Sequence, residues 1–424
     1  MDFQESVNYL LSLGNEVSAM KLGLENIRKL LTALGDPQNN YLKVQVAGTN
    51  GKGSVCAFLN SICLTAGIKT GMYTSPHLIS ITERIQIDGG EISQSDFAKL
   101  ATRVREVSER LVVEAEIDGI PTFFEQATAT ALLAFADSKV ELAILETGLG
   151  GRLDATTAAN AEIAAITRID LDHQQYLGET IEEIAAEKAE IIHEGSRVVI
   201  GEQKPEAMKV ILERCKAFGV QPGLGHLISS AKTVRLGLLG RHQMENAQIA
   251  MLLAEVLRET FEITNEQIVT GVESARHPGR IEFDGQFLFD GAHNAGGASA
   301  LKHFLDESVQ KPITMIFGSM NDKSVKEIVA TLYSNADKLI LTPPDNSRAI
   351  PPADIVELLP EGIDAAKVFV TRNVSEALDK AREVTGENEV ILVTGSLYLV
   401  GEVKRILQNG QPPETDISNL KFQI

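Results

Sequence analysis

The segment Gly48-Thr49-Asn50-Gly51-Lys52-Gly53-Ser54 lies between a short apolar run, Leu42 to Ala47, and a stretch from Val55 whose apolar residues recur at helical spacing. A β-strand that stops in glycines and restarts as a helix leaves the helix's first backbone N–H groups without intrahelical partners, and an anion can sit on them. Phosphate is the natural guest. Lys52 brings a point charge to terminal phosphates and Ser54 a hydroxyl for Mg²⁺, the division of labour of a P-loop. The general pattern wants four residues between the first Gly and Gly-Lys, and a Ser or Thr directly after the Lys; here the spacing is two and Gly53 intervenes. Val55, Phe58, Leu59, Ile62 and Cys63 share one helical face, which anchors the loop to a buried element.

The 424 residues exceed what one hydrophobic core serves, so two domains are expected. A net charge of −19 excludes nucleic acid and anionic membrane as bulk partners, and an anionic substrate must be held by local Lys and Arg. Trp is absent and aromatics are 5%, which leaves no stacking platform for single strands. No run resembles a membrane span, and the N-terminus lacks the basic start and apolar core of a signal peptide, so the expectation is a cytoplasmic protein. Cys56, Cys63 and Cys215 have no C-x-x-C spacing and read as small buried hydrophobes.

Apolar runs at Thr70 to Tyr73, Glu141 to Glu146, Ala161 to Thr167 and Arg197 to Gly201 alternate with helical stretches, a parallel α/β pattern. Residues 78 to 92 read as a long connection of the functional or mobile kind. Glu146 falls at the carboxyl end of its strand, where open parallel sheets gather ligands, ahead of Gly148, Gly150, Gly151 and Arg152. In the predicted helix Thr180 to His193, Lys188 lies on a stripe with Ile181, Ile184, Ala185, Ala189 and Ile192. An ammonium there is neutralised, paired or modified, or else it snorkels at the core edge. Residues 218 to 240 have no clear pattern. His277-Pro278-Gly279-Arg280 punctuates the chain, so the domains are expected at 1–280 and 281–424. Beyond it, runs at Phe287 to Phe289, Ile313 to Phe317, Lys338 to Leu341, Val368 to Val370 and Val390 to Val393 predict a smaller doubly wound sheet. Asp290-Gly291-Ala292-His293-Asn294 follows the first run and Thr394-Gly395-Ser396-Leu397 the last.

Taken in order, these motifs resemble those of the folylpolyglutamate synthase and dihydrofolate synthase family of the Mur ligase superfamily. The set is Gly48 to Ser54, Thr74 to Leu78, Glu146 to Thr156, Leu171-Asp172-His173, Ala186 to Ala189, His242-Gln243 with Asn246, Pro278-Gly279-Arg280, Asp290 to Asn294 and Thr394 to Tyr398. It spans nearly the whole chain.

The resemblance implies an α/β protein with a P-loop-containing Mur-ligase-type domain, a smaller Rossmann-like C-terminal domain, and a site in the cleft between them. It implies an ATP-dependent ligase that phosphorylates a carboxylate, of dihydropteroate or of a folate's terminal glutamate, and then joins L-glutamate to it. Addition of the first glutamate, of later ones, or of both stays open, and so does a P-loop ATPase switch without a ligase step. The implied partners are small molecules, and a monomer is expected.

By motif, Gly48, Thr49, Asn50, Gly51, Lys52, Gly53 and Ser54 serve the phosphates, with Asn246, Arg280 and Asp290 as further ATP contacts. Ser54, Ser75, Glu146 and His173 are the implied Mg²⁺ ligands, with Lys188 as a carbamate for a second ion. Lys52, His173, Lys188, Asp290, His293 and Ser396 are the implied catalytic set. Lys21, Leu22, Gly23, Leu24, Thr122, Phe123, Phe124, Glu125, Leu153, Asp154 and Ala155 match the pterin-binding segments. Glu190 and Thr157 depart from the family's usual Gly and Asn.

Overall fold

The computed structural model describes residues 1–14, 23–225, 234–321, 325–361 and 363–409. The chain divides into two compact units: residues 1–237 with 244–276, and residues 238–243 with 277 onward.

In the first unit the described strands are β1 (Leu42–Ala47), β2 (Thr70–Tyr73), β3 (Ile85–Ile87), β4 (Gly90–Glu91), β5 (Leu142–Glu146), β6 (Ile163–Ile166), β7 (Arg197–Ile200) and β8 (Gly223–Leu224). They form one sheet in the order β4-β3-β2-β5-β1-β6-β7-β8. From β2 to β8 all neighbours are parallel. The register sets Val46 beside Glu146, Tyr73 beside Leu145 and Ala47 beside Ile166, so the carboxyl ends of β2, β5, β1 and β6 lie side by side. Burial on both faces explains why β5 and β6 read as near-continuous apolar runs, while in β1 the polar Lys43 and Gln45 are buried among apolar neighbours.

Residues 78 to 92 are more ordered than the predicted connection. The Glu83 carboxylate accepts the N–H groups of Leu78, Ile79 and Ser80 at 2.6–2.7 Å and closes a 3₁₀ turn, Ile81–Arg84. β3 and β4 then pair across a two-residue turn, with Asp88 at φ 52° and Gly89 at φ 80°. That is the Asp-Gly hairpin, whose turn twist matches the strands.

The helix after β1, Lys52–Thr65, is buried on nearly every side rather than on one face. Helix Asn265–Ser274 approaches it closely enough that a Cβ on Gly271 would lie 2.4 Å from the Ile62 Cα. The helix bearing Lys188 runs Ile181–Ala189, shorter than its periodicity predicts, and opens on a capping box between Thr180 and Glu183.

The second unit's sheet comprises β9 (Glu282–Asp284), β10 (Phe287–Phe289), β11 (Ile313–Phe317), β12 (Lys338–Leu341), β13 (Val368–Val370) and β14 (Val390–Thr394), in the order β13-β12-β11-β14-β10-β9. The five expected strands are present and parallel. β9 adds an antiparallel edge, too short to register as an apolar run. Leu288, Met315, Phe317, Leu341 and Leu392 form the centre of this unit's core.

Candidate active site

Helix Lys52–Thr65 begins at Gly51 in the left-handed region, φ 90°, with no side-chain cap. Seven other α-helices among the described residues are capped by Asp, Ser, Thr or Asn, at Asp2, Ser93, Thr122, Thr180, Thr264, Asn294 and Asn373. An uncapped N-terminus behind a glycine loop keeps its N–H groups for a ligand, and the helix dipole favours negative charge there.

The loop's shape is set by its neighbour on the sheet. Thr49 and Asn50 donate their N–H groups to the Arg168 carbonyl at 2.9 and 3.2 Å. The Thr49 hydroxyl donates to the Asp170 carbonyl at 3.0 Å, and the Thr167 hydroxyl to the Asn50 carbonyl at 2.7 Å. Thr167 to Asp170 follow β6, so the strand beside β1 clamps the loop, a contact that no sequence motif announces. Asn246 packs on the other side, where a Cβ on Gly51 would come within 2.2 Å of its Oδ1.

Lys52 donates to the Gly48 and Thr49 carbonyls at 3.1 and 3.3 Å. Lys188, 5% exposed, donates to the same Gly48 carbonyl at 2.9 Å. Burial, and then the charge of Lys52, push its pKa down to about 7, against the pull of Asp172 and Asp154. A neutral amine is therefore accessible near physiological pH. The helix face read from periodicity does carry a buried lysine, at the phosphate loop.

Glu146 ends β5 and is 6% exposed. It accepts the Ser75 N–H at 3.1 Å, which joins the ends of β2 and β5. Its charge reaches the buried Cys56 thiol, whose pKa is raised well above normal by burial and then by Glu146, with Lys52 opposing. Glu146, Lys52 and the first turn of the P-loop helix are therefore near neighbours. His173 sits at φ 51° at the start of a short helix, Gln174–Leu177, its N–H donated to Asp172 at 2.9 Å.

A buried carboxylate such as Glu146 suits a hard divalent ion, which prefers oxygen. Among the described residues no three His, Cys, Asp or Glu side chains gather as a metal cluster.

The pterin segments divide. Lys21 and Leu22 lie outside the described residues, while Gly23 precedes the buried Leu24. Thr122 and Glu125 are a reciprocal capping box for helix Phe123–Asp137, at 3.3 and 2.7 Å. Phe123, expected to face a pterin, is a core residue at 3% exposure with the Arg84 guanidinium 5.3 Å from its ring centre. At a helix start beside an apolar sheet, burying the ring outweighs presenting it. Phe124 is partly exposed, packs on Tyr73, and touches Gly148, where a Cβ would lie 2.6 Å from the ring. Asp154 is buried and already engaged, accepting from Leu149 N, Thr156 N and the Thr156 hydroxyl. Leu153 is half-buried and Ala155 buried beside it.

In the second unit, Asp290 directly follows β10 and is buried, which raises its pKa. It accepts the N–H groups of Ile281 and Ala292 at 2.9 Å, and the nearby Arg280 opposes the shift. His242 and His277 also feel Arg280. Burial and then its charge depress them to about 4 and about 3, so both are neutral. His293 Nδ1 is 2.8 Å from the Gly291 carbonyl. Ser396, two residues beyond the adjacent β14, is buried and its hydroxyl accepts the Tyr398 N–H.

Residues 46–221 match the Mur ligase middle domain, and residues 279–397 match the Mur ligase, glutamate ligase domain. The dihydrofolate synthase/folylpolyglutamate synthase of Bacillus subtilis is 32% identical over 92% of this chain and 96% of its own length. The chain belongs to the folylpolyglutamate synthase/dihydrofolate synthase family. A probable bifunctional folylpolyglutamate synthase/dihydropteroate synthase of Haloferax volcanii is 35% identical over 98% of this chain, and the chain spans 52% of that relative's length. Among solved family structures, the Mycobacterium tuberculosis folylpolyglutamate synthase with ADP superposes at a TM-score of 0.88, with 28% identity over 97% of this chain and 99% of that one. A bifunctional folylpolyglutamate synthase/dihydrofolate synthase with Mn, AMPPNP and L-glutamate gives 0.83 and 28% over 96% and 98%.

Proposed function

We propose that this chain is an ATP-dependent acid–amino acid ligase that joins L-glutamate to dihydropteroate, to the terminal glutamate of reduced folates, or to both. The observation that carries the reading is the uncapped P-loop helix flanked by two buried side chains, Glu146 at the end of the adjacent strand β5 and Lys188 on helix Ile181–Ala189, whose amine donates to the Gly48 carbonyl. The relative solved with Mn, AMPPNP and L-glutamate supports the same substrate classes.

A carboxylate is a poor acyl donor. In the proposed sequence its oxygen attacks the γ-phosphorus of ATP, the bond to the β-phosphate oxygen breaks, and an acyl phosphate and ADP result. The amino nitrogen of glutamate then attacks the acyl carbon, loses a proton, and inorganic phosphate leaves. Lys52 and the N–H groups of the P-loop helix hold the crowded negative charge. Glu146, Ser54 and Ser75, with His173, hold the divalent cation, which neutralises phosphate charge when bound. We assign Lys188 to carbamate formation: its neutral nitrogen bonds to the carbon of CO₂ and releases a proton, leaving an anionic ligand for a second cation. Asn246, Arg280 and Asp290 are assigned to ATP, and His293 and Ser396 to the incoming glutamate. Gly23, Leu24, Phe124 and the Leu153 to Ala155 turn are assigned to the pterin side. The same reading makes the protein a cytoplasmic monomer; no helix among the described residues is long and apolar enough to cross a membrane.

ADP release with glutamate plus either dihydropteroate or a reduced folate tests this. Stimulation by both acceptors marks a bifunctional enzyme and by the folate alone a folylpolyglutamate synthase. If neither stimulates turnover, the ligase reading is wrong.

A further inference from the structure

Gln45 is a polar side chain in the middle of a buried parallel strand, 1% exposed on β1 and three residues before Gly48. Its amide nitrogen lies 3.1 Å from the Thr147 hydroxyl, 2.9 Å from that of Thr156 and 2.8 Å from that of Thr157. Two N–H bonds serve three oxygens, so one proton is shared. Burying an amide is costly unless it is bonded, and this one has its donors fully committed.

Each bond continues toward a proposed site group. Thr147 directly follows Glu146 in the chain. The Thr156 hydroxyl donates in turn to Asp154, whose other oxygen accepts the Leu149 N–H at 2.9 Å, so the loop after Glu146 is folded around this carboxylate. The Thr157 hydroxyl donates to the Gly151 carbonyl at 2.7 Å. Gly151 is pressed against the helix of Lys188: a Cβ there would lie 2.7 Å from the Glu187 carbonyl and 2.9 Å from that of Lys188. Arg152 secures the same contact, its N–H donating to the Glu187 carbonyl at 3.0 Å and its guanidinium paired with the Glu187 carboxylate.

One amide therefore ties the strand leading into the phosphate loop to the residue after Glu146 and, through Gly151, to the backbone at Lys188. We infer that Gln45 is a positioning residue, which fixes the spacing between Glu146 and Lys188 and so the geometry of the cation-binding pair. The inference rests on the assignment of Glu146 and Lys188 to divalent cations. Thr157, where the family usually has Asn, is part of the same network, and its hydroxyl both accepts from Gln45 and donates to Gly151. A buried hydrogen-bonded network of this kind rigidifies what it connects when every member is satisfied.

The test compares Gln45→Met, close in volume but without the amide, with Thr157→Val and Thr157→Ser. For each, thermal melting and ADP affinity are measured first, then Mn²⁺ binding by the electron paramagnetic resonance of the free ion, then kcat, KM for ATP and the half-activating Mg²⁺ concentration. Expected for Gln45→Met is a fall in kcat of about tenfold or more and a rise of about fivefold or more in both the Mn²⁺ dissociation constant and the half-activating Mg²⁺ concentration, with ADP affinity within about twofold of wild type. Thr157→Val shifts the same way, and Thr157→Ser, which keeps the hydroxyl, restores wild-type metal affinity. Unchanged metal binding in Gln45→Met, or loss of ADP affinity in parallel with metal affinity, overturns the inference. Absence of glutamate-dependent ADP release in the wild type would instead refute the ligase reading, while the Mn²⁺ titration still reports on Gln45.

Discussion

The side-chain nitrogens of Lys52 and Lys188 converge on one oxygen, the Gly48 carbonyl, at 3.1 and 2.9 Å. Lys52 belongs to the helix after β1 and Lys188 to a helix over a hundred residues later, yet the two ammonium groups share an acceptor at the phosphate loop. Like charges this close disfavour double protonation, and Lys188, the more buried, gives way. Lys52 is the partly exposed partner, to which the proposed reading assigns the phosphates.

Lys188→Met is expected to stabilise the fold while removing activity. In an unfolded chain this lysine titrates at its ordinary value of 10.5; in the folded protein it does so at about 7. Between those values the unfolded chain holds a proton that the folded one lacks, so stability falls as pH drops from 10.5 toward 7, and the loss is complete below that. Methionine carries no such penalty. Melting in bicarbonate-free buffer at pH 7.5 should rise by several degrees, and glutamate-dependent ADP release should fall by about 100-fold or more. A lower melting temperature would mean that the buried amine is well compensated.

Glu146→Gln keeps an oxygen to accept the Ser75 N–H and removes the charge. If that charge holds a cation, turnover drops by about 100-fold and the half-activating Mg²⁺ concentration rises, whereas ADP binding by calorimetry without metal changes little. A variant with wild-type metal dependence would exclude Glu146 from the cation site.

The framework was legible wherever burial is written in consecutive residues. β5 and β11 are largely apolar runs because parallel strands are covered on both faces, and the glycine loop announces itself by sitting between the mostly apolar β1 and a helix. Lys188 was visible as a charge out of place in a period. The β3–β4 hairpin had a signal, Asp88-Gly89, that two very short strands obscured. Phe123 shows the opposite difficulty: an aromatic at a helix start looks the same in sequence whether it faces a ligand or the core, and only packing on the sheet decides. Gln45 could not be read at all. Its three partners lie more than a hundred residues away and come together only when β1 and β5 pair.

Gly51 is required twice over, by its φ of 90° and by Asn246 against its Cα. Gly51→Ala should weaken ADP binding by about tenfold or more, since left-handed strain of about 1–3 kcal/mol and a steric clash act together. Asn246→Ala in the same chain relieves the clash and leaves the strain. Calorimetry on the two single variants and the double variant separates these terms. A loss in the double variant smaller than the sum of the two single losses is the expected result, because Asn246→Ala gives up its assigned ATP contact but relieves the clash; strictly additive losses would show that Asn246 does not obstruct the new methyl group.

Acid should destabilise the second unit through His242 and His277. Both are neutral when folded, with pKa values of about 4 and about 3, because burial and then Arg280 penalise the cation. Unfolding releases them to titrate near 6.5. From pH 6.5 down to about 4 the unfolded chain therefore binds protons that the folded chain does not, and stability falls with falling pH across that window. At pH 5 the two together cost about 4 kcal/mol, since every step of one pH below 6.5 costs about 1.4 kcal/mol for each histidine. Melting curves between pH 7 and 4.5 should show a steep decline, and His242→Gln with His277→Gln, which cannot take up a proton, should flatten it. Because His77 in the first unit is likewise depressed to about 3, by burial and Arg84, a shallower slope should persist in the double variant and lessen further when His77 is also replaced. A double variant as acid-sensitive as the parent would place the responsible groups elsewhere, among the carboxylates.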